Sequence, residues 1–257
     1  MKKIRLSLLA VASVFLVLNA RAQFADAVVE YNSGTGFVPG YTNSESALGE
    51  PSRVTPGTYG GPVTPFNPAY LRSQLVSIGE GGSLTVKFDK AVHNHPQNRF
   101  GIDFIIFGNS GFIITNEFDL TTFDWVGIPA TDGSLFGGGE GQTIVSVSQD
   151  GANFYALNPA VTPAVDSGLP TDGAGDFTVP VDPTLTPADF AGLTEEQIQA
   201  FYLGSAGGSG YDLATAQDAY GNRVNLQWIR YVRIQVVSGK VDVDGVSAVF
   251  NPPGNKR

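Results

Sequence analysis

The chain has 257 residues, of which 24 are acidic and 15 basic, so its formal net charge is −9, and it contains no cysteine. A chain this acidic lacks the cationic surface that nucleic-acid binding requires, so nucleic-acid partners are excluded. The absence of cysteine excludes disulfides, thiolate zinc sites, cysteine nucleophiles and a lipidated-cysteine anchor.

The first 22 residues have the three parts of a secretory signal peptide. A basic start (KKIR, 2–5) precedes an apolar run, Leu6–Leu18, and Ala20-Arg21-Ala22 provides a small-x-small cleavage site. The apolar run has 13 residues, fewer than the ~18–20 that span a bilayer. We therefore expect cleavage after Ala22 and secretion to the periplasm or the medium, without membrane insertion. Residues 23–257 would keep 11 basic and 24 acidic residues, a net charge of −13.

Three runs in the first 157 residues have the patterns of β-strands. Ser83–Phe88 alternates polar and apolar side chains, which is typical of a half-buried strand. Ile102–Phe107 is apolar on both faces apart from Asp103, which predicts a central strand buried on both sides. The run VSVSQDGANFYAL (145–157) predicts two strands joined by an Asp150-Gly151 turn.

Residues 158–227 interrupt this series of strands. Thr186–Asp189 and Thr194–Gln197 both have the pattern of a helix start, the first with proline at the first helical position and the second with capping-box spacing. We expect a helix over about 195–203 that ends at Gly204, within a short helical insertion near 186–203. The segment has too few apolar residues for a core of its own. We therefore interpret it as an insertion in a single domain, residues 23–257.

The longest strand candidate is Trp228–Val237, in which Val232, Ile234 and Val236 share one face. A Ser238-Gly239 turn then predicts an antiparallel partner over Val243–Phe250. With 32 Gly and 16 Pro along the chain, these runs favour an all-β sandwich with long loops. The first and last strands would be neighbours, as in a jelly roll.

Parts of these runs resemble discoidin-type, galactose-binding-like jelly rolls. VSVSQDGANFYAL (145–157) is similar to their hairpin, YVRIQV (231–236) to a central strand and VDGVSAVF (243–250) to the closing strand. The resemblance implies a jelly-roll module without catalytic activity, often sugar-binding and often holding a structural calcium ion.

A second resemblance covers most of the chain after the signal peptide. ALGEPSRVTPG (47–57), the run from Pro65 to Asp89 and FGIDFIIFGNSGF (100–112) are similar to secreted bacterial surface proteins, many of which end in a PEP-CTERM sorting helix. That family has no assigned biochemical activity. This chain departs from the pattern because it ends in NPPGNKR, without an apolar sorting helix.

Asp242 and Asp244 are candidate calcium ligands. They stand at positions i and i+2, on the same side of an extended strand, and calcium takes carboxylate oxygens. The galactose-binding-like resemblance implies a site closed between an acid near the last strand and an early loop, which adds Glu50. The alternative is that the two aspartates form a solvated turn before a strand.

Aromatic residues in the predicted loops are candidate sugar-binding groups, because sugars stack their C–H faces on tryptophan and tyrosine rings. Trp125, Tyr211 and Tyr220 are our candidates. The alternative is that such rings cover the ends of the sandwich. Asp103, set in the most apolar strand, is expected to form structural hydrogen bonds rather than to act in catalysis.

Three functions are consistent with these features. The favoured one is a secreted, non-catalytic module that binds carbohydrate or another surface polymer and is stabilised by calcium. The second is a polysaccharide-degrading enzyme with a carboxylate pair, which 24 acidic residues leave open. The third is a structural component of an extracellular matrix or surface layer.

Overall fold

The computed structural model describes residues 24–137, 141–166 and 168–249, so the predicted signal peptide lies outside the described residues. The strands are β1 (Ala27–Asn32), β2 (Val54–Thr55), β3 (Gly61–Pro62), β4 (Val76–Gly79), β5 (Ser83–His93), β6 (Phe104–Phe107), β7 (Gly111–Ile114), β8 (Phe118–Asp119), β9 (Asp124–Trp125), β10 (Thr131–Phe136), β11 (Gln142–Ser148), β12 (Tyr155–Leu157), β13 (Ser209–Tyr211), β14 (Ala216–Gln217), β15 (Trp228–Ser238), β16 (Lys240–Val243) and β17 (Gly245–Ala248). The α-helix is α1 (Glu195–Tyr202), and short 3₁₀ helices cover Ser44–Ala47, Arg99–Gly101, Pro187–Phe190 and Leu213–Thr215. Within these ranges, no helix has the length and apolar character needed to cross a bilayer.

One layer is a six-stranded antiparallel sheet in the order β1-β5-β15-β11-β12-β14. Strand β15 is at its centre, where Val232 is paired with Val86 of β5 on one side and Val147 of β11 on the other. These three valines are buried, so this face of the sheet points into the core.

The opposite layer consists of two smaller sheets, β13-β6-β17 and β16-β4. The two sheets are continuous along the chain, because only Asp244 separates β16 from β17. Apolar residues of both layers form the main core cluster, among them Phe88, Val232, Phe104 and Val241. The protein is therefore an all-β sandwich, as predicted.

The predicted central strand is buried on both faces, as expected. Phe104 and Ile106 of β6 belong to the main core between the layers. Ile105 and Phe107 point the other way, into a second cluster with Phe177 and Ala206 of the predicted insertion. The segment after β12 thus covers the outer face of the smaller layer.

The predicted hairpin around Asp150-Gly151 is also confirmed, because β11 and β12 pair antiparallel across it. The Asp150 carboxylate accepts bonds from the Ala152 and Asn153 amides and from the Asn153 side chain. These bonds lower the pKa of Asp150, and they close the turn.

The predicted pairing at the C-terminal end is wrong. Strand β15 forms as expected, but it pairs with β5 and β11 and not with the strands that follow it. After Gly239 the chain crosses to the other layer, where β16 pairs with β4 and β17 with β6. The expected pairing of the first and last strands is also wrong for β1, which is in the six-stranded sheet, although Phe24, the first described residue, forms a bridge with Ser247.

The predicted helical insertion forms where the capping signals place it. In α1, the side chains of Thr194 and Gln197 form a capping box, and the helix ends at Leu203 with φ 51°, just before Gly204. The Thr186 signal starts a 3₁₀ helix, Pro187–Phe190, and not an α-helix. Ile198 and Tyr202 of α1 are buried with Phe190 against Phe112 of β7, so the insertion packs on the sandwich.

Gly208, inside this insertion, is expected to tolerate no side chain. It has φ +82°, and a Cβ there would lie 2.7 Å from Ile105 Cγ2 and 2.9 Å from Phe107 Cδ1. Replacing Gly208 with alanine is expected to lower the free energy of unfolding by about 3 kcal/mol, measured by urea denaturation, through overpacking and backbone strain. Gly204→Ala is the matched control, because Gly204 has a similar φ (+86°) with open space around it, and about 1 kcal/mol of strain is expected there. Equal losses in the two variants would contradict the packing argument.

Candidate functional site

Trp125 lies on a short hairpin, β8–β9, in the segment between β7 and β10. Its ring packs edge-on against Phe118 of β8, with the ring centroids 5.0 Å apart, so the indole is held in place and remains half-buried. Around it Leu120, Phe123 and Ile128 are at least 75 % exposed, which makes this the most apolar exposed hairpin of the described chain. An exposed apolar patch of this kind marks a binding surface more often than a plain loop does.

Beside this hairpin is a cleft of about 530 Å³. Trp125 and Ile128 line it together with Phe66, from the loop before β4, and with Glu195 and Glu196 in the first turn of α1. A bridge between Ala130, which follows the hairpin, and Thr194 connects this segment to the start of the helix.

The polar side chains of the cleft are two carboxylates, an amide and the hydroxyls of Thr64 and Thr194. Glu195 and Glu196, in the first turn of α1, bring two carboxylates, and Asn67 brings an amide whose Nδ2 donates to Pro62 O at 2.9 Å. An aromatic wall with a few fixed polar groups is the usual composition of a small-molecule site. The cleft can therefore stack a flat C–H face and accept hydrogen bonds from hydroxyl groups.

A second cleft of similar volume lies between residues 160–163, residues 181–187 and β13. Its exposed aromatic residue is Phe100, and its walls are mainly apolar residues and prolines such as Val161, Leu185 and Pro183. Asp212 at its edge already accepts a bond from the Ala214 amide at 2.7 Å. Asp182, the other carboxylate of this cleft, likewise accepts a bond from a backbone amide, that of Thr184 at 2.9 Å.

The other two predicted aromatic ligands are not in the Trp125 cleft. Tyr211 is fully buried in β13 and stacks on Phe104 with centroids 5.1 Å apart, so the expectation that a loop exposes it is wrong. The Gly-rich run before Tyr211 suggests a loop, whereas its last residues, Ser209 and Gly210, form the edge strand β13 with Tyr211. Tyr220 is 90 % exposed, on a turn closed by Asp218 and Asn222, and it does not line the cleft.

The predicted calcium set, Glu50, Asp242 and Asp244, does not form a site. Asp244 is buried, and both of its oxygens accept bonds from Ser52, one from the amide and one from the hydroxyl, each at 2.8 Å. Glu50 is half-exposed and pairs with Arg53 at 2.7 Å. Among the described residues, no three His, Cys, Asp or Glu side chains form a group that could hold a metal. The three predicted residues therefore do not come together as one calcium site.

The alternative reading of the two aspartates, a solvated turn, is wrong as well. Asp242 and Asp244 are 5 % and 2 % exposed. Burial raises the pKa of Asp244 to about 7, against the effect of its bonds from Ser52.

Asp103 has the expected hydrogen-bonding role. Its carboxylate is buried and accepts bonds from the Asn98 side chain and from the amides of His95 and Leu213. It joins the loop after β5 to the start of the Leu213–Thr215 3₁₀ helix. Burial raises its pKa to about 6.

The cleft residues Phe66, Glu195 and Glu196 were missed from the sequence. The two glutamates look like ordinary first-turn residues that complement the helix dipole, and nothing local links them to Trp125. No family model matches this chain, and no curated protein matches it in sequence.

Proposed function

We propose that this protein is a non-catalytic module that binds a neutral polysaccharide through the Trp125 cleft. The observation that carries the proposal is the half-buried Trp125 ring, which packs against Phe118 and lines the same cleft as Glu195, Glu196 and Asn67. Trp is the residue type most enriched among binding hot spots, because it brings a large rigid surface at low entropic cost.

The charges of the cleft favour a neutral polymer over an acidic one. Glu195 and Glu196 project from the cleft wall, and the whole chain has a net charge of −9. Uronic acids or sulfated sugars would be repelled by both the local and the overall charge. Neutral sugar hydroxyls can instead donate hydrogen bonds to these carboxylates.

Binding without hydrolysis is supported by where the acids lie. Glycoside hydrolysis needs two carboxyls that face each other across the bond. Glu195 and Glu196 are adjacent in α1, and neighbouring helix positions diverge by about 100°. Asp103 and Asp244, whose pKa values are raised, are at most 2 % exposed and out of reach of a polymer.

The family resemblance and the signal sequence complete the proposal. A secreted galactose-binding-like jelly roll is a common carrier of sugar sites in its loops, and Trp125 lies in the segment between β7 and β10. The exposed apolar side chains next to Trp125 favour one alternative, a structural surface component that self-associates.

Replacing Trp125 with alanine is expected to lower the affinity for the bound polymer about 30-fold or more, because a central aromatic anchor contributes roughly 2 kcal/mol or more. The purified protein is mixed with microcrystalline cellulose, chitin, insoluble xylan and, as the acidic probe, alginate beads. The bound fraction and the released reducing sugar are measured together. Retention on one of the neutral polymers, without released sugar, is the expected result.

Tyr220→Ala is the matched control, because Tyr220 is an exposed aromatic outside the cleft. It should leave retention unchanged. Loss of retention in Tyr220→Ala but not in Trp125→Ala would place the site elsewhere, and released sugar would make the protein an enzyme. Absence of retention together with concentration-dependent assembly, lost on changing Leu120 or Phe123 to serine, would support the structural alternative.

A further inference from the structure

Four buried side-chain oxygens in the described chain lack a hydrogen-bond partner of good geometry: Asn109 Oδ1, Asp166 Oδ2, Asp242 Oδ1 and the Tyr211 hydroxyl. Buried polar atoms are rarely left unsatisfied, and an ion is one of the usual reasons when they are. Residues 109, 166 and 242 are far apart in sequence, and the fold places the backbone of Asn109 and of Asp242 beside the Asp166 carboxylate.

Asp166 is the centre of this group. It is 4 % exposed and has φ 63°, a conformation that is uncommon for a residue other than glycine. Its Oδ1 accepts bonds from the amides of Asn109 and Ser110, both at 3.1 Å. The carboxylate is therefore fixed at the end of β6 with Oδ2 still unpaired.

Asp242 approaches the same point from β16. Burial raises the pKa of Asp166 most, and the Asp242 carboxylate raises it further, whereas a hydrogen bond from the Asp242 backbone amide lowers it. Gly108 permits the approach: a Cβ there would overlap the Asp166 carboxylate and lie 2.9 Å from the Asp242 carbonyl oxygen. Within the described residues, neither carboxylate takes part in an ion pair.

The Tyr211 hydroxyl is the fourth of these oxygens. Tyr211 is fully buried, and burial raises the pKa of its phenol, with a smaller contribution from the Asp166 carboxylate. The Ser209 hydroxyl lies close to it without forming a bond of good geometry.

We propose that Asn109, Asp166 and Asp242 bind one calcium ion through their unpaired side-chain oxygens. Calcium takes carboxylate and amide oxygens and tolerates irregular sets completed by water. Two carboxylates balance its charge, and the ion replaces the repulsion between them by attraction. The site differs from the predicted one, because Asp244 and Glu50 are engaged by Ser52 and Arg53 and take no part.

The ion would connect three segments: the end of β6, the start of the insertion and strand β16. In a chain with no cysteine, it would take the place of a disulfide in fixing the insertion on the sandwich. The rival explanation is a proton shared between Asp166 and Asp242, since two close buried carboxyls cannot both ionise without a cation.

Calcium and terbium titrations of the chelator-stripped protein, by calorimetry and by sensitised terbium emission, test the proposal without any sugar present. We expect one ion per chain, with a dissociation constant below about 10⁻³ M. Asp166→Asn and Asp242→Asn should each weaken binding about 10-fold or more. Asp244→Asn is the matched control, a buried carboxylate two residues from Asp242, and should bind as the parent protein does.

Thermal unfolding distinguishes a bound calcium ion from a proton shared between Asp166 and Asp242. With chelator, Asp166→Asn should melt at a higher temperature than the parent, because one buried charge is gone. With excess calcium the order should reverse, since the parent alone gains stability from the ion. No calcium binding, or a loss confined to Asp244→Asn, would overturn the proposal. Gly108→Ala, which displaces the Asp166 carboxylate and leaves both acids in place, should also lose binding.

Discussion

Replacing Asp103 with alanine is expected to lower the free energy of unfolding by about 3 kcal/mol, because several donors lose their acceptor at once. The Asp103 side chain is 1 % exposed and accepts bonds from Asn98 Nδ2 (2.6 Å), the Leu213 amide (2.9 Å) and the His95 amide (3.3 Å). Burial raises the pKa of Asp103 to about 6, so part of the loss is offset when this costly charge is removed.

Urea denaturation at neutral pH measures this loss. Asp103→Asn should lose less stability than Asp103→Ala, since its amide oxygen still accepts hydrogen bonds. It should remain less stable than the parent, because its NH₂ group faces the Leu213 amide and both groups are donors. Asp89→Ala, at an exposed position of β5, is the control and should stay within about 0.5 kcal/mol of the parent. A midpoint for Asp103→Ala equal to that of Asp89→Ala would show that the buried carboxylate does not organise this end of the sandwich.

The stability of the protein is expected to fall as the pH rises from about 4 to about 7. Burial raises the pKa of Asp244 to about 7 and that of Asp103 to about 6, from an ordinary value of 3.8. In this window the folded state keeps protons that the unfolded chain has released, and each such group lowers stability by at most about 1.4 kcal/mol per pH unit. Below about pH 4 the sign reverses, because hydrogen bonds lower the pKa values of exposed acids such as Asp182 and Asp218.

Urea denaturation across this pH range, with chelator present, checks the effect of Asp244. Asp244→Asn should make the slope shallower by up to about 1.4 kcal/mol per pH unit between the two pKa values. Asp218→Asn is the control, because the lowered pKa of Asp218 acts only at lower pH. Parallel curves for the parent and Asp244→Asn would mean that Asp244 stays ionised in the fold.

The strands that could be predicted from the sequence are those whose pattern is local. In β5, Leu84, Val86 and Phe88 alternate into the core, and in the 145–157 run the Asp150 turn fixes the hairpin. The burial of β6 on both faces could be predicted because both of its faces are apolar. In each case the decisive interactions lie within a few residues of one another.

The errors concern long-range placement. The chain after Gly239 crosses to the other layer because β4 and β6 provide the pairing edges there, and no local signal distinguishes this from a hairpin. Tyr211 was expected in a loop because glycines precede it, yet Gly208 is required by close packing against Ile105. Glycine marks both turns and close approaches, and the pattern alone does not separate them.

The candidate sites were predictable only in part. Trp125 was identified as an aromatic in a loop, but its partners Phe66 and Glu196 come from two other segments. Asp242 was identified through its spacing to Asp244, whereas the residue that shares its surroundings is Asp166, in a segment without periodicity. Only the fold reveals which acids are satisfied and which are not.

A two-dimensional NMR titration of the indole N–H groups tests directly whether the polysaccharide binds at the Trp125 cleft. The chain has two tryptophans, Trp125 in the cleft and Trp228 at the start of β15, so two indole signals are expected and Trp125→Phe assigns them. A soluble oligosaccharide of the retained polymer should shift the Trp125 signal in a saturable way and leave that of Trp228 in place. Saturable binding that leaves the Trp125 signal unmoved would show that the sugar binds outside the Trp125 cleft.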